Sequence, residues 1–439
     1  MQYENLFKPI KLGPLTVKNR IAMAPMNQQG DRDAHVTLQY TAFFNARALG
    51  GFGLLGTGSI LTNKEATKEY PFVPYLYPGS FNMGYWSDFT ESVHSQGTDT
   101  ILFGQLSPGF GRQTGRPGAK SPSGVPFTRE DIYWGLSHSK QTMAWTKYWR
   151  NDWTNHLLGV PRAMTVDEIH ADQRSYVRSA ELATLAGFDG IEIHGPHGYG
   201  LAQFLSLRSN KRTDEYGGSV RNRARYITEL LAMLKKNFGD AVPVGVRMSG
   251  REYQPGGTTA EEVREMAKMF QEEGACYISL SNGSGYDDME HFIHGQPDNP
   301  ELLEAQGKKL KDGVSIPVIT TGFRTPEVAE KAIADGETDM VAMGRQAMAD
   351  PDWPNKVKEG REKDIVYCTR CSYCISMGIW GGTVAMRCTV NPNYGKEQFM
   401  PEYWPKPMKG KLPETLKRWR PGDRWQATGP WAEYFGKKK

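Results

Sequence analysis

Long apolar runs are missing from this sequence. No stretch approaches the roughly 18 consecutive apolar residues that a membrane-spanning helix requires, which excludes a spanning segment. An excess of one charge is missing as well. With 53 Lys and Arg against 49 Asp and Glu, the chain implies neither nucleic acid nor an anionic membrane surface as a partner. The N-terminus has no basic region leading into an apolar core, so the expected location is the cytoplasm. Cysteine is scarce, five in 439 residues, yet four of the five crowd between Cys368 and Cys388. In a reducing compartment such crowding points to a metal site before a disulfide framework. Polar linkers are absent before residue 390, which favours one barrel-sized domain with an extension over several small domains.

What the chain does have is rhythm. Short apolar runs recur at 19–26, 52–57, 100–105, 190–194, 242–247, 276–281, 316–321 and 339–344, each followed by a helical pattern. The runs lack strict alternation, and amphipathic helices such as 259–273 and 325–335 separate them. That combination implies a parallel sheet covered on its outer face, and eight such units predict an α/β fold, a (β/α)8 TIM barrel over residues 1–355. Gly51-Phe-Gly53-Leu-Leu-Gly56 fits a dinucleotide-binding fingerprint, but a helical pattern precedes it and a strand pattern follows. It is therefore expected to be a helix cap running into the second barrel strand, with no Rossmann domain. Residues 127–158 interrupt the rhythm with Tyr133, Trp134, Trp145, Tyr148, Trp149 and Trp153. Trp145, Trp149 and Trp153 share one helical face, which suits packing or a subunit contact first and an aromatic lid over the barrel mouth second.

The chemistry concentrates in two places. At the end of the 190–194 strand, His194, His197 and Tyr199 follow one another within six positions. In parallel α/β proteins the carboxyl ends of the strands carry catalysis, and imidazoles can hold a carbonyl oxygen while a phenol delivers a proton. The plainer alternative is two histidines capping the strand beside a packed tyrosine. Further on, Cys368-x2-Cys371-x2-Cys374-x13-Cys388 puts three thiols on one tight loop and brings a fourth back from a distance, a spacing that favours a [4Fe-4S] cluster over zinc. This defines a cluster module over 356–400. The basic, Trp-rich tail at 401–439 is expected to wrap its own barrel or a sister subunit, ahead of docking an electron partner.

Several segments together carry a resemblance. The opening Leu6-Phe-Lys-Pro-Ile-Lys-Leu-Gly13, the strand through Asn19-Arg20 to Ala24-Pro25-Met26, Gln105, the His194 to Tyr199 cluster and Asn210-Lys-Arg212-Thr-Asp214-Glu-Tyr216-Gly-Gly218 resemble the old yellow enzyme family of FMN-dependent oxidoreductases. The resemblance implies that His194 and His197 hold the substrate's electron-withdrawing oxygen and that Tyr199 protonates the α-carbon. It places Gln105 on the flavin pyrimidine edge and Arg247 beside flavin N1 and O2. Pro25, Met26 and Asn27 line the cofactor, with Asn27 where many members carry threonine or cysteine, so a cysteinyl link to FMN is ruled out there. Gly322, Arg324, Gly344 and Arg345 take the phosphate corner, and Tyr286 and Asp287 are expected to line the substrate pocket.

The cysteine spacing resembles the iron–sulfur branch of that family, which includes trimethylamine dehydrogenase and 2,4-dienoyl-CoA reductase. Members of that branch continue into further nucleotide-binding domains that this sequence does not contain. A separate one-electron protein such as a ferredoxin, a flavodoxin or an electron-transferring flavoprotein is therefore the expected partner, with NAD(P)H as the alternative external reductant. A homo-oligomer acting on a small-molecule substrate is expected. Three activities follow: an ene-reductase of α,β-unsaturated carbonyl compounds, an amine or N-methyl dehydrogenase, or an electron-transfer subunit with an idle barrel.

Overall fold

The computed structural model describes residues 2–28, 34–70, 72–114, 118–131, 159–285, 288, 300–375, 386–406 and 418. Its centre is a closed parallel sheet of eight strands: β1 (Ile21–Met23), β2 (Leu54–Gly56), β3 (Ile101–Ser107), β4 (Gly190–His194), β5 (Val244–Ser249), β6 (Ile278–Ser281), β7 (Val318–Thr321) and β8 (Met340–Met343). Each strand pairs with the next, and β8 pairs back to β1, closing the barrel. Six of the eight strands lie inside the runs picked out in the sequence, while β3 and β5 each continue two residues beyond theirs, to Ser107 and Ser249.

Two residue choices let the interior close. A Cβ on Gly190 would lie 2.4 Å from the Phe103 ring, and one on Gly245 would lie 2.1 Å from the Tyr277 ring, so each glycine makes room for an aromatic from a neighbouring strand. Large residues against small ones fill a tapering barrel without voids. Phe103, Tyr277, Ile319, Met340 and Ala342 form this inner core, and Leu12, Leu15 and Val17 of the hairpin Ile10–Leu12/Leu15–Val17 seal its lower end. A separate, larger core lies between the sheet and the helices around it.

The outer helices begin where local chemistry allows. α1 (Leu38–Leu49) is capped by Thr37, α3 (Val166–Leu185) by a capping box of Thr165 and Glu168, and α5 (Ala260–Glu272) by one of Thr259 and Glu262, with α2 (Met83–Ser95) and α4 (Val220–Phe238) between them. Each capping side chain satisfies an otherwise orphaned N–H of the first turn. α6 (Pro300–Lys311), α7 (Pro326–Ala334) and α8 (Arg345–Ala349) complete the ring. Gly51, at φ +95, turns the chain out of α1 and into β2, so the glycine-rich stretch is the helix exit that its flanks implied.

After β8 the chain passes through the cysteine loop and returns across α1. There Arg47, fully buried, donates to Glu397 at 2.7 Å and to the Ala347 carbonyl at 3.0 Å. Asn45 and Gln96 donate to the carbonyls of Tyr403 and Trp404. The described part of the C-terminal segment thus lies on its own barrel, and the rest of the tail, apart from Arg418, lies outside the described residues. So do Tyr133, Trp134, Trp145, Tyr148, Trp149 and Trp153 of the 127–158 insertion. Among the described residues, no helix is long and apolar enough to cross a membrane.

Candidate functional site

His194 is the last residue of β4, and the turn after it decides the site. His197 and Gly198 take left-handed conformations, φ +70 and +66, and a Cβ on Gly198 would sit 2.2 Å from the Ser284 carbonyl oxygen. A non-glycine residue in that region is uncommon and costs energy, so the surroundings must hold His197 in place. The turn brings the two imidazoles together, His194 Nε2 to His197 Nδ1 at 3.2 Å. At the outer ends of the pair, Ser59 Oγ lies 3.4 Å from His194 Nδ1 and Ser281 Oγ lies 2.6 Å from His197 Nε2. Arg247, on β5, donates to the same Ser281 hydroxyl at 3.2 Å and to the Pro25 carbonyl at 3.0 Å. Tyr199 is buried two positions on, its ring 5.7 Å from that of His194 and 6.3 Å from that of His197, edge-on to Phe110 at 4.7 Å.

Burial sets the charge of this pair. Desolvation, then the nearby Arg247 guanidinium, pushes His194 down to about 3; the same causes, with His194 added, hold His197 well below the usual histidine range. Both rings are therefore neutral at neutral pH, and each keeps one N–H to donate. A stability consequence follows. In the unfolded chain these histidines take up protons near the ordinary 6.5, whereas in the folded chain they do not. The unfolded state then binds more protons, so their contribution is fully present above that value and is lost as pH falls toward the folded-state values. Urea midpoints measured across this acidic range should fall with pH in the wild type and fall less steeply in His197→Asn.

The positions assigned to a cofactor converge on the same mouth of the barrel. Arg247 holds Pro25, a Cβ on Gly344 would lie 3.4 Å from Met26 Sδ, and Asn27 Oδ1 accepts from the Ser59 backbone N–H at 2.7 Å. Gln105 Nε2 donates to Glu192 at 2.7 Å. Gly322, at φ +121, and Gly344 terminate β7 and β8, while Arg324 donates to the Cys368 carbonyl and Arg345 to Ser372 Oγ. The corner expected to bind phosphate is thus tied directly to the cysteine loop. Arg247 Nε and Arg324 Nε are buried with no protein partner. Orphaned N–H donors of this kind are rare in folded proteins, and an acceptor-rich, phosphorylated cofactor such as FMN is the kind of group that would satisfy them.

All four clustered cysteines line one small pocket, together with Arg345, Met348 and Thr389. Arg370 and Ser372, on either side of Cys371, both sit at φ +57, and the Arg370 backbone N–H donates to Cys368 Sγ at 3.4 Å. Cys371 Sγ lies 3.2 Å from the Thr389 hydroxyl. Among the described residues, no three His, Cys, Asp or Glu side chains gather as ligands of one metal ion. Tyr286 and Asp287 lie outside the described residues. The structure also shows neighbours of the histidine pair that the sequence reading passed over: Ser59 and Ser281 at its ends, and Glu192 and Tyr277 below it. Glu192 alone left a signal, as a carboxylate between two isoleucines of a buried strand.

A closed eight-stranded parallel barrel whose polar side chains gather at the carboxyl ends of its strands has the architecture of a barrel enzyme. Residues 5–364 match the NADH:flavin oxidoreductase / NADH oxidase family, and the chain belongs to it. It is 34% identical to the NADH oxidase of Thermoanaerobacter brockii, over 93% of this chain and 59% of that protein. It is 33% identical to the cinnamate reductase of Clostridium sporogenes, over 90% of this chain and 59% of that protein. Among solved structures, a complex of 2-naphthoyl-CoA reductase with 2-naphthoyl-CoA superposes with a TM-score of 0.77 at 28% identity, over 91% of this chain and 58% of that one. The chain therefore spans less than two thirds of the length of these relatives.

Proposed function

We propose that the protein is an ene-reductase, dependent on FMN and a [4Fe-4S] cluster, that saturates the C=C bond of an α,β-unsaturated carbonyl compound. The observation that carries this reading is the buried, neutral His194–His197 pair beside Tyr199 at the carboxyl end of β4. Cinnamate reductase and 2-naphthoyl-CoA reductase, two of the relatives, support it by name.

Pro25, Met26, Asn27, Gln105, Arg247, Gly322, Arg324, Gly344 and Arg345 would hold FMN. When bound, FMN supplies hydride chemistry. The chain's own residues do the rest. His194 and His197 give up the hydrogen bond between their rings and, with the accepting ring shifting its single proton to the nitrogen that faces the mouth, each donates one N–H to the substrate's carbonyl oxygen, polarising the C=C bond. Because neither ring is charged, the pair donates without becoming an acid that would protonate the oxygen outright. Arg247 keeps a fixed positive charge next to the pair and stabilises negative charge at the mouth. Tyr199, held by Phe110, delivers the proton to the α-carbon.

Cys368, Cys371, Cys374 and Cys388 would hold the cluster, one cysteine per iron, which their shared pocket supports. Such a cluster supplies one-electron transfer, so a ferredoxin, a flavodoxin or an electron-transferring flavoprotein suits the chain as its partner, with NAD(P)H as the alternative donor. A reducing cytoplasm would keep the four thiols available. On this reading the chain divides into a barrel at 1–355, a cluster module at 356–400 and a tail at 401–439.

Ligand binding tests the oxygen-holding role. An unreactive ketone analogue should perturb the flavin absorption of the FMN-loaded protein. His197→Ala should weaken that binding roughly fivefold, about 1 kcal/mol for one lost neutral hydrogen bond. Unchanged affinity in both His194→Ala and His197→Ala would remove the pair from the site.

A further inference from the structure

One inward layer below the histidine pair lies a carboxyl group that the proposed reaction does not use. Glu192 is 4% exposed, and both of its oxygens are engaged: Oε1 accepts from Gln105 Nε2 at 2.7 Å and Oε2 from the Tyr277 hydroxyl at 2.8 Å. The strand register explains the layer. Glu192 stands opposite Gln105 on β3 and Gly245 on β5, while Arg247, two residues nearer the mouth, stands opposite His194. Gly245 offers no side chain, and the Tyr277 ring takes its space, which brings the phenol to the carboxyl.

The partners define the chemistry. Two donors converge on the two oxygens, an arrangement that an acceptor-only carboxylate satisfies completely. The ionisable groups around it are Arg247 on β5, Tyr277 and Cys276 at β6, and Tyr176 on α3. Burial pushes Tyr277, Cys276 and Tyr176 upward, so Arg247 is the charged one of the four at neutral pH. Burial raises Glu192 and outweighs Arg247, Gln105 and Tyr277, which favour its charged form; what points to a carboxylate is the pair of donors, one on each of its oxygens. A carboxylate facing an amide also fixes which end of that amide is which. Its NH2 must turn toward Glu192, which leaves the Gln105 carbonyl oxygen as the end free to turn toward the mouth.

We propose that Glu192 is a redox-positioning residue: as a carboxylate it orients Gln105 toward the cofactor and offsets the Arg247 charge that favours the reduced, anionic flavin. The proposal rests on FMN binding at this mouth but on no substrate, so its test is separate from that of the ene-reductase reading. The midpoint potential of bound FMN is measured by equilibration with a reference dye in the wild type, Glu192→Gln and Glu192→Asp. Removing the negative charge in Glu192→Gln should favour the reduced flavin at least tenfold, a rise of about 30 mV for a two-electron couple. Glu192→Asp, which keeps the charge, should stay closer to the wild type. If Glu192→Gln loses its flavin, Tyr277→Phe carries the test. With one of its two donors gone, the carboxylate takes up a proton at higher pH, so the potential of this variant should rise above the wild type as pH is lowered. A Glu192→Gln potential equal to the wild type, or superimposable potential–pH curves for Tyr277→Phe, would overturn the proposal. Enone inactivity with a shifted potential would keep Glu192 in this role and sink only the substrate assignment.

Discussion

Replacing Tyr199 with Phe is expected to lower enone turnover by about 10²- to 10⁴-fold, the range that a positioned general acid contributes, while FMN stays bound. The substitution removes one hydroxyl and keeps the ring, so the edge-on contact with Phe110 at 4.7 Å survives. Tyr199 precedes the helix Gly200–Leu205 without a side-chain capping bond, and the helix should form as before. The oxygen of the substrate is assigned to His194 and His197, so KM should move little compared with kcat. Comparable turnover in Tyr199→Phe would mean that solvent or another residue protonates the α-carbon.

The second large effect concerns electron supply. Cys371→Ala is expected to purify without its full iron content and to lose turnover with a ferredoxin, flavodoxin or electron-transferring flavoprotein, while FMN is still reduced by a chemical reductant. Cys371 is the exposed one of the four thiols, so its loss leaves no cavity in the core. The loop around it is held independently, through Arg324 to the Cys368 carbonyl and Arg345 to Ser372. Those two contacts also carry the argument for proximity, because both arginines rise from the corner where β7 and β8 end. Iron analysis, circular dichroism and turnover on one preparation separate the outcomes. A folded, iron-depleted variant that works normally with a protein donor would make the cluster a structural clasp.

The barrel was legible because its signals are local. Short apolar runs, threonine caps such as Thr165 and Thr259, and the glycines leaving α1 depend on near neighbours in the chain. The candidate site was legible in part for the same reason, since His194, His197 and Tyr199 lie within one turn. What was not legible depends on closure of the sheet. Glu192 meets Gln105 and Tyr277 only once β3, β4, β5 and β6 fix their register, and Ser59 and Ser281 reach the histidines from opposite sides of the mouth. The ion pair between Arg47 and Glu397 joins residues 350 positions apart, and nothing local to either predicts it. The bond between the two imidazoles needs the left-handed turn at His197, a conformation that the His-Gly sequence permits but does not dictate.

The most direct test of ene-reduction uses the FMN-loaded protein under nitrogen. The reduced protein is mixed with one equivalent of an enone, an enoyl acid or an enoyl thioester, and the oxidised protein is mixed with a methylamine. The account predicts that an unsaturated carbonyl compound restores the oxidised flavin spectrum with an equal amount of saturated product, and that the amine leaves the spectrum unchanged. Bleaching of the flavin by the amine, with no reoxidation by any of the unsaturated compounds, would contradict it and assign the barrel to amine dehydrogenation.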